Sequence, residues 1–322
     1  MVATVQSASA GTIRQPSGYF VMQPLHGNRS PLSNSVVGSP KLVGVHLRDK
    51  WSLVEPSQGN NSFTWFDEQI ARAKQLGKQV TLGIYAGTNS PSWLAAPQVS
   101  GVPLPWSSTV VSAFNAMIGR LGAHFQNEPV IAAVHMSSPA TNHSMEMYYP
   151  DGLRSVAGYS DAKVIGVWES AIDAYSLAFP NNALVLDEAM VPDSRGYVTK
   201  TVANYARQVL GERLNVITCN LKASTNIQAP HMRELAALHA AGVRIGFEMV
   251  GPSIDRNRFG GSFAEALVIG RNAGAAWYQI YQQDIPNLPT YRIARLSAVT
   301  EPQTTTVLGI ALTISGFIRR RR

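Results

Sequence analysis

The chain has 322 residues, 45% of them hydrophobic, enough for one large domain or two small ones with a substantial core, which excludes disorder throughout. The net charge of +7 includes four arginines at the extreme C-terminus, so the body is only mildly basic, and no basic stripe interleaved with aromatics points to nucleic acid. A single cysteine, Cys219, excludes an internal disulfide framework without fixing the compartment, because large exported domains also lack disulfides.

Residues 1–17 are small and polar, with the texture of a signal-peptide cleavage region at Ser7, Ala8, Ser9 and Ala10 but no charged start or apolar core before it. They read as a disordered tail or as the remnant of a leader whose start lies upstream. Residues 18–22 form a first strand, followed by a loop over 24–40 rich in Ser, Asn, Gly and Pro. Residues 42–48 give a second strand, and 63–76 take up a helical spacing through Phe66, Ile70 and Ala73 until Gly77 stops it. The strand-loop-helix unit then repeats. Strand 79–85 leads through a Pro-rich loop to helix 108–125, and strand 130–136 leads to helix 161–179. Strands follow at 184–187, 214–219, 243–248 and 276–281, separated by helical patterns at 199–210, 230–241 and 262–271, with a last helix over 291–298.

Eight short apolar strands alternating with helices predict a single-domain (β/α)8 barrel over residues 18–299, an α/β fold. An open doubly wound sheet would bring a glycine-rich phosphate loop, and neither GxGxxG nor GxxxxGK[ST] occurs. In such a barrel the site lies at the C-terminal ends of the strands, and the loops there are long after strands two, three and four.

Val243, Ile245 and Phe247 alternate along the seventh strand and bring Glu248 to the point where strand becomes loop. A carboxylate there is either catalytic or held in a structural ion pair, for instance with Arg48. After strand four the chain carries Glu146, and after strand five Glu188. The literal Asn-Glu-Pro at 127–129 precedes strand four and reads as a turn on the opposite rim. No HExxH or other metal spacing and no GxSxG elbow is present, so neither a metal nor another cofactor is expected. Cys219 lacks an evident activating base and reads as a small buried residue. His46 and His135, within strands two and four, fit equally a barrel mouth or a satisfied core.

Residues 44–94 contain Arg48-x-x-Trp51, then Glu55-Pro56-x-x-Gly59, an aromatic turn, Asp67 opening a helix, and Ser90-Pro91-x-Trp93. With carboxylates after strands four and seven, this order resembles the clan A glycoside hydrolases, families 42 and 5. The resemblance implies a retaining glycosidase acting on a poly- or oligosaccharide. It implies Glu248 as nucleophile, Glu146 as general acid/base with Glu188 as the alternative acid, and Arg48 near the nucleophile. Trp51, Trp93, His135, Asn142, Tyr148 and Tyr281 become substrate-binding candidates, the aromatics because sugar faces stack on indole and phenol. One departure stands out: the family acid directly follows an Asn at the strand end, whereas Glu146 follows Met145 about ten residues further on. That leaves a catalytically inactive, glycan-binding surface barrel as the other reading.

From residue 300 the composition changes to Glu301-Pro302, a threonine run, an apolar stretch over 307–318 and four arginines. This module resembles the PEP-CTERM sorting tail of exported bacterial proteins, with Thr300 where the first Pro of that motif would stand. It implies sorting machinery or a membrane as partner, and export to the cell surface or beyond it.

Overall fold

The computed structural model describes residues 13–24, 29–142, 144–148, 152–189 and 196–289. The chain divides into two units, Met1–Pro289 and Thr290–Arg322. The expected helix at 291–298 and the sorting tail lie outside the described residues, as do residues 1–12. Among the described residues no helix is long and apolar enough to cross a membrane.

The first unit is built on a closed barrel of eight strands, every neighbouring pair parallel. In chain order these are β1 (Gly18–Met22), β2 (Gly44–Lys50), β3 (Gln79–Tyr85), β4 (Ile131–Met136), β5 (Ala183–Asp187), β6 (Leu214–Leu221), β7 (Arg244–Met249) and β8 (Trp277–Ile280). The (β/α)8 expectation holds. Helices Thr64–Gln75, Ser108–Phe125, Asp161–Ala178, Tyr197–Leu210, Pro230–Ala240 and Phe263–Asn272 lie within two residues of the ranges that periodicity predicts. Three four-residue helices, Asn34–Val37, Trp51–Val54 and Arg256–Phe259, are too short for a period to reveal, and so is the hairpin pairing Gln98–Val99 with Val102–Pro103.

Each strand separates two cores by its period of two. Val45 and Leu47, Leu184 and Leu186, and Ile245 and Phe247 point outward into the main apolar cluster shared with the helices. Phe20, Ala133, Ala183, Val185, Ile217 and Trp277 point inward and plug the barrel. Gly246 makes room for that plug: a Cβ there would stand 2.4 Å from the Trp277 ring, so any side chain at 246 would evict an indole that is fully buried. Further along four of the strands, β2, β3, β4 and β8, polar groups take the inward positions: His46, Thr81, His135 and Gln279 are all buried. Beyond them lies the C-terminal mouth, where the site stands.

Candidate active site

Four inward positions at the strand ends bring Arg48 (β2), Asp187 (β5), Cys219 (β6) and Glu248 (β7) together. Glu248 Oε1 lies 3.6 Å from Arg48 Nη1. The guanidinium is fixed on two further sides, donating from Nε to the Gln23 carbonyl (3.0 Å) and from Nη1 to the Tyr85 hydroxyl (2.7 Å). Burial alone would lower the Arg48 pKa, but Tyr85 and Glu248 outweigh it and hold the group firmly cationic.

Glu248 is pushed up to about 7: burial raises it most, Arg48 pulls it down, and Asp187 and Glu146 push it up again. One guanidinium therefore faces three carboxyl groups, and they cannot all be ionised at neutral pH without strong mutual repulsion. The half-buried Cys219 thiol donates toward Asp187 Oδ2 (3.8 Å). Its position follows from an irregularity in β6, whose pairing with β7 shifts register between Thr218 and Leu221 and so bends the strand end at the mouth. Burial, then Glu248, Glu146 and Asp187, push the thiol well above its usual range, so it remains a neutral S–H donor.

Glu146 reaches this cluster from a loop, and the loop is held in place by its neighbours. The Met147 amide donates to the Asp187 carbonyl (3.0 Å), the Tyr148 amide to the Glu146 carbonyl (2.6 Å), and the Asn142 amide to the Tyr148 carbonyl (2.7 Å). Met145 fills the notch over Gly83, where a Cβ would stand 2.2 Å from its sulfur. A larger residue at 83 would have to displace the Met145 side chain next to Glu146. The anchoring accounts for an acid about ten residues past its strand: β4 ends at Met136, and the chain returns across the mouth.

Several expected contacts are corrected by burial. Glu188 continues the outward parity of Leu184 and Leu186. It is buried away from the mouth, with neither carboxyl oxygen hydrogen-bonded among the described residues and Glu234 as its charged neighbour, so it does not face Glu248. His135 is fully buried: its Nδ1 lies 2.7 Å from Asp187 Oδ1, and Gln279 Nε2 donates to its Nε2 (2.9 Å). Both ring nitrogens are occupied, which leaves none for a sugar hydroxyl.

Trp51 is fully buried and donates its indole N–H to Glu55 (2.9 Å), while Trp93 is half-buried and donates to the Glu55 carbonyl (2.9 Å). Glu55 also accepts from the Gly59 amide and pairs with Arg120. Much of the Glu-Pro-x-x-Gly pattern is thus architecture that locks two indoles edge to face, and Trp51 cannot stack on a sugar. Asn142 and Tyr148 are half-buried on the loop beside Glu146, and the Asn142 carbonyl accepts from the Thr88 amide (2.7 Å). Tyr281, half-buried, senses the charges of Glu248, Arg48 and Arg258 and borders the cluster. Glu128, of the Asn-Glu-Pro turn, pairs with Lys74 (2.6 Å) before β4 begins, on the opposite rim.

The sequence pattern did not single out Asp187 or Tyr85, and Cys219, expected to be a small buried residue, is half-buried. The signal for Asp187 was present, since Val185 and Asp187 share the inward parity, but the bulkier Glu188 beside it drew attention. Among the described residues no group of three or more His, Cys, Asp and Glu side chains is arranged to hold a metal ion.

Residues 44–99, about a sixth of the chain, match the glycoside hydrolase family 42 model, described as beta-galactosidase. No curated protein matches the chain. Among solved structures it is similar to the catalytic domain of a beta-amylase from Paenibacillus polymyxa (TM-score 0.58, 11% identity, covering 85% of this chain and 94% of that one). It is also similar to the catalytic domain of a mannanase from Streptomyces sp. SirexAA-E (TM-score 0.52, 13% identity, 87% and 83%) and to the xylanase XynB from Paenibacillus barcinonensis (TM-score 0.52, 12% identity, 82% and 84%). At these identities the likeness is one of fold, the (β/α)8 barrel.

Proposed function

We propose that this protein is a glycoside hydrolase that cleaves O-glycosidic bonds of a poly- or oligosaccharide by double displacement, with Glu248 as nucleophile and Glu146 as general acid/base. The observation that carries the reading is Glu248 at the end of β7, 3.6 Å from the Arg48 guanidinium at the C-terminal mouth, with Glu146 near enough for its charge to raise the Glu248 pKa. Retaining hydrolysis asks for two carboxyls roughly 5 Å apart in unlike environments, one ionised and one protonated. The cation favours ionisation at Glu248, and like-charge repulsion then favours the proton on Glu146. The carbohydrate-active family match over 44–99 supports the same class of substrate.

The test is leaving-group dependence in Glu146→Ala. Activated aryl glycosides need little protonation, so their first step should survive and azide should rescue the second, while poor leaving groups should lose about 10²- to 10⁴-fold. Equal, unrescued losses across leaving groups would remove Glu146 from the acid/base role. The displaced position of Glu146 favours a second reading, a glycan-binding barrel without turnover. In that protein glycan affinity would persist in Glu248→Gln and no substrate of any leaving group would be cleaved by the parent.

The apolar run and terminal arginines of residues 300–322 support a sorting or membrane-anchoring role for the tail of an exported protein. Deleting residues 301–322 should release the barrel from the cell envelope into soluble fractions. Unchanged fractionation would end that assignment.

A further inference from the structure

A residue in a strand takes its direction from the pleat, but Glu146 lies about ten positions past the end of β4 and takes none from it. Its direction must come from whatever the loop rests on. The segment Met145-Glu146-Met147 alternates: both methionines are buried, and the carboxyl between them is half-buried. Each methionine has its own seat. Gly83 pairs with His135 across β3 and β4, and a Cβ on Gly83 would fall against the Met145 sulfur and 3.4 Å from the His135 Cβ. The thioether thus fills a notch beside His135. On the other side of Glu146, the Met147 amide donates to the Asp187 carbonyl at the end of β5 (3.0 Å).

The two seats are joined to each other. His135 Nδ1 lies 2.7 Å from Asp187 Oδ1, with both side chains at most 1% exposed. Gln279 Nε2 lies 2.9 Å from His135 Nε2, and an amide N–H only donates, so the ring proton stands on Nδ1 and points at the carboxylate. Apolar side chains of similar volume would often fill such a space without loss of stability, whereas a hydrogen-bonded pair fixes the rotamer of Asp187 and the strand end with it. The rest of the loop is closed on itself and pinned to the turn after β3: the Asn142 amide donates to the Tyr148 carbonyl, and the Thr88 amide to the Asn142 carbonyl, both at 2.7 Å.

We propose that the buried His135–Asp187 pair positions Glu146, seating Met145 and Met147 so that the carboxyl between them is held at the mouth opposite Glu248. The inference rests on the glycosidase reading of the site. His135 touches no reacting atom, since both its nitrogens are occupied, and it acts through Asp187 and the loop. A proton donor displaced by about 1 Å loses on the order of 10²-fold in rate, so a seat of this kind matters most where the departing oxygen needs the Glu146 proton.

The test compares His135→Leu with His135→Asn in the full chain. Asparagine Nδ2 stands as many bonds from the backbone as histidine Nδ1 and restores a donor to Asp187, whereas leucine donates nothing. Across aryl glycosides of graded leaving-group acidity, kcat/KM of His135→Leu should fall about 10- to 100-fold for poor leaving groups and stay within about threefold for dinitrophenyl. His135→Asn should recover most of that loss. A group acting through Glu146 adds nothing once Glu146 is gone, so His135→Leu in a Glu146→Ala background should cost less than about twofold. Equal losses across leaving groups, or additive losses in the double variant, would make the pair a packing element and overturn the proposal. Where His135→Leu does not fold, Gln279→Leu carries the same test, because without that donor the ring proton can move to Nε2 and Asp187 loses its partner. A Gln279→Leu loss without the leaving-group pattern overturns the proposal equally.

Amide exchange reads the seat without turnover. With nitrogen-15 methionine, protection of the Met147 amide should drop by about tenfold or more in His135→Leu and hold in His135→Asn. Unchanged protection in His135→Leu overturns the clamp. A parent that cleaves no glycoside but shows that drop would instead sink the glycosidase reading while the clamp stands.

Discussion

Replacing Glu248 with glutamine should lower turnover of every substrate by about 10⁴-fold or more, whatever the leaving group, because an amide cannot form the covalent glycosyl-enzyme. The substitution is nearly isosteric, and its structural effect should be small: the amide side chain would keep the inward direction that β7 imposes and exchange only the weak 3.6 Å contact with Arg48. The pH dependence of the parent supplies a second, independent reading of the same residue. Glu248 is pushed up to about 7, chiefly by burial and then by Asp187 and Glu146 against the pull of Arg48. A nucleophile must be ionised, so kcat/KM should rise with pH through a limb near 7 rather than near the ordinary 4.5. That limb belongs to the coupled carboxyl groups together. Asp187→Asn removes one of the like charges and should move the limb to lower pH. A limb that stays near 4.5 in the parent, or residual turnover in Glu248→Gln that tracks leaving-group acidity, would exclude Glu248 as the nucleophile.

Why Glu248 was legible in the sequence and Cys219 was not is a matter of the range of the information each requires. Glu248 follows from local alternation, since Ile245 and Phe247 face the helices and Gly246 and Glu248 face the barrel axis. Arg48 follows in the same way from Val45 and Leu47. The identical rule applied to β5 assigns Asp187 inward and Glu188 outward, so Asp187 is legible from parity although the residue type of Glu188 is the more conspicuous. Trp51 illustrates a different limit. Its burial depends on Glu55, one helical turn away, which also gathers Gly59, Arg120 and Trp93 from separate segments. No short-range pattern shows that convergence, and an aromatic in a long loop before Glu-Pro looks the same whether it packs or binds. Cys219 is the extreme example: its hydrogen-bond partner Asp187 lies in β5, 32 residues away, and the contact forms only once the barrel closes. The anchoring of Glu146 is equally non-local, because it depends on a missing side chain at Gly83 in β3.

Glu188 should act on stability rather than on turnover, and Glu188→Gln separates the two. The group is 1% exposed, neither carboxyl oxygen has a hydrogen-bond partner among the described residues, and its pKa is pushed up to about 8, by burial first and by Glu234 second. A folded-state pKa above the unfolded value near 4.5 means that the native state holds the proton more tightly over that interval. The stability this confers is fully present below about pH 4.5 and is lost as pH rises through about 8. A shift of that size is worth on the order of 5 kcal/mol across the window. Glutamine cannot ionise, but it buries an amide that also lacks partners, costing about 1–3 kcal/mol at every pH. Urea melts should therefore show the variant no more stable than the parent at about pH 5 and more stable at about pH 9, with the two curves crossing between. Some fall with pH should remain in the variant, because Glu248 titrates in the same direction up to about 7. Turnover at neutral pH should stay within a few-fold, since the side chain points into the helical layer beside Glu234. Parallel pH–stability curves would show that Glu188 finds a partner in solution. A large loss of turnover confined to poor leaving groups would instead make Glu188 the acid and return Glu146 to a structural role.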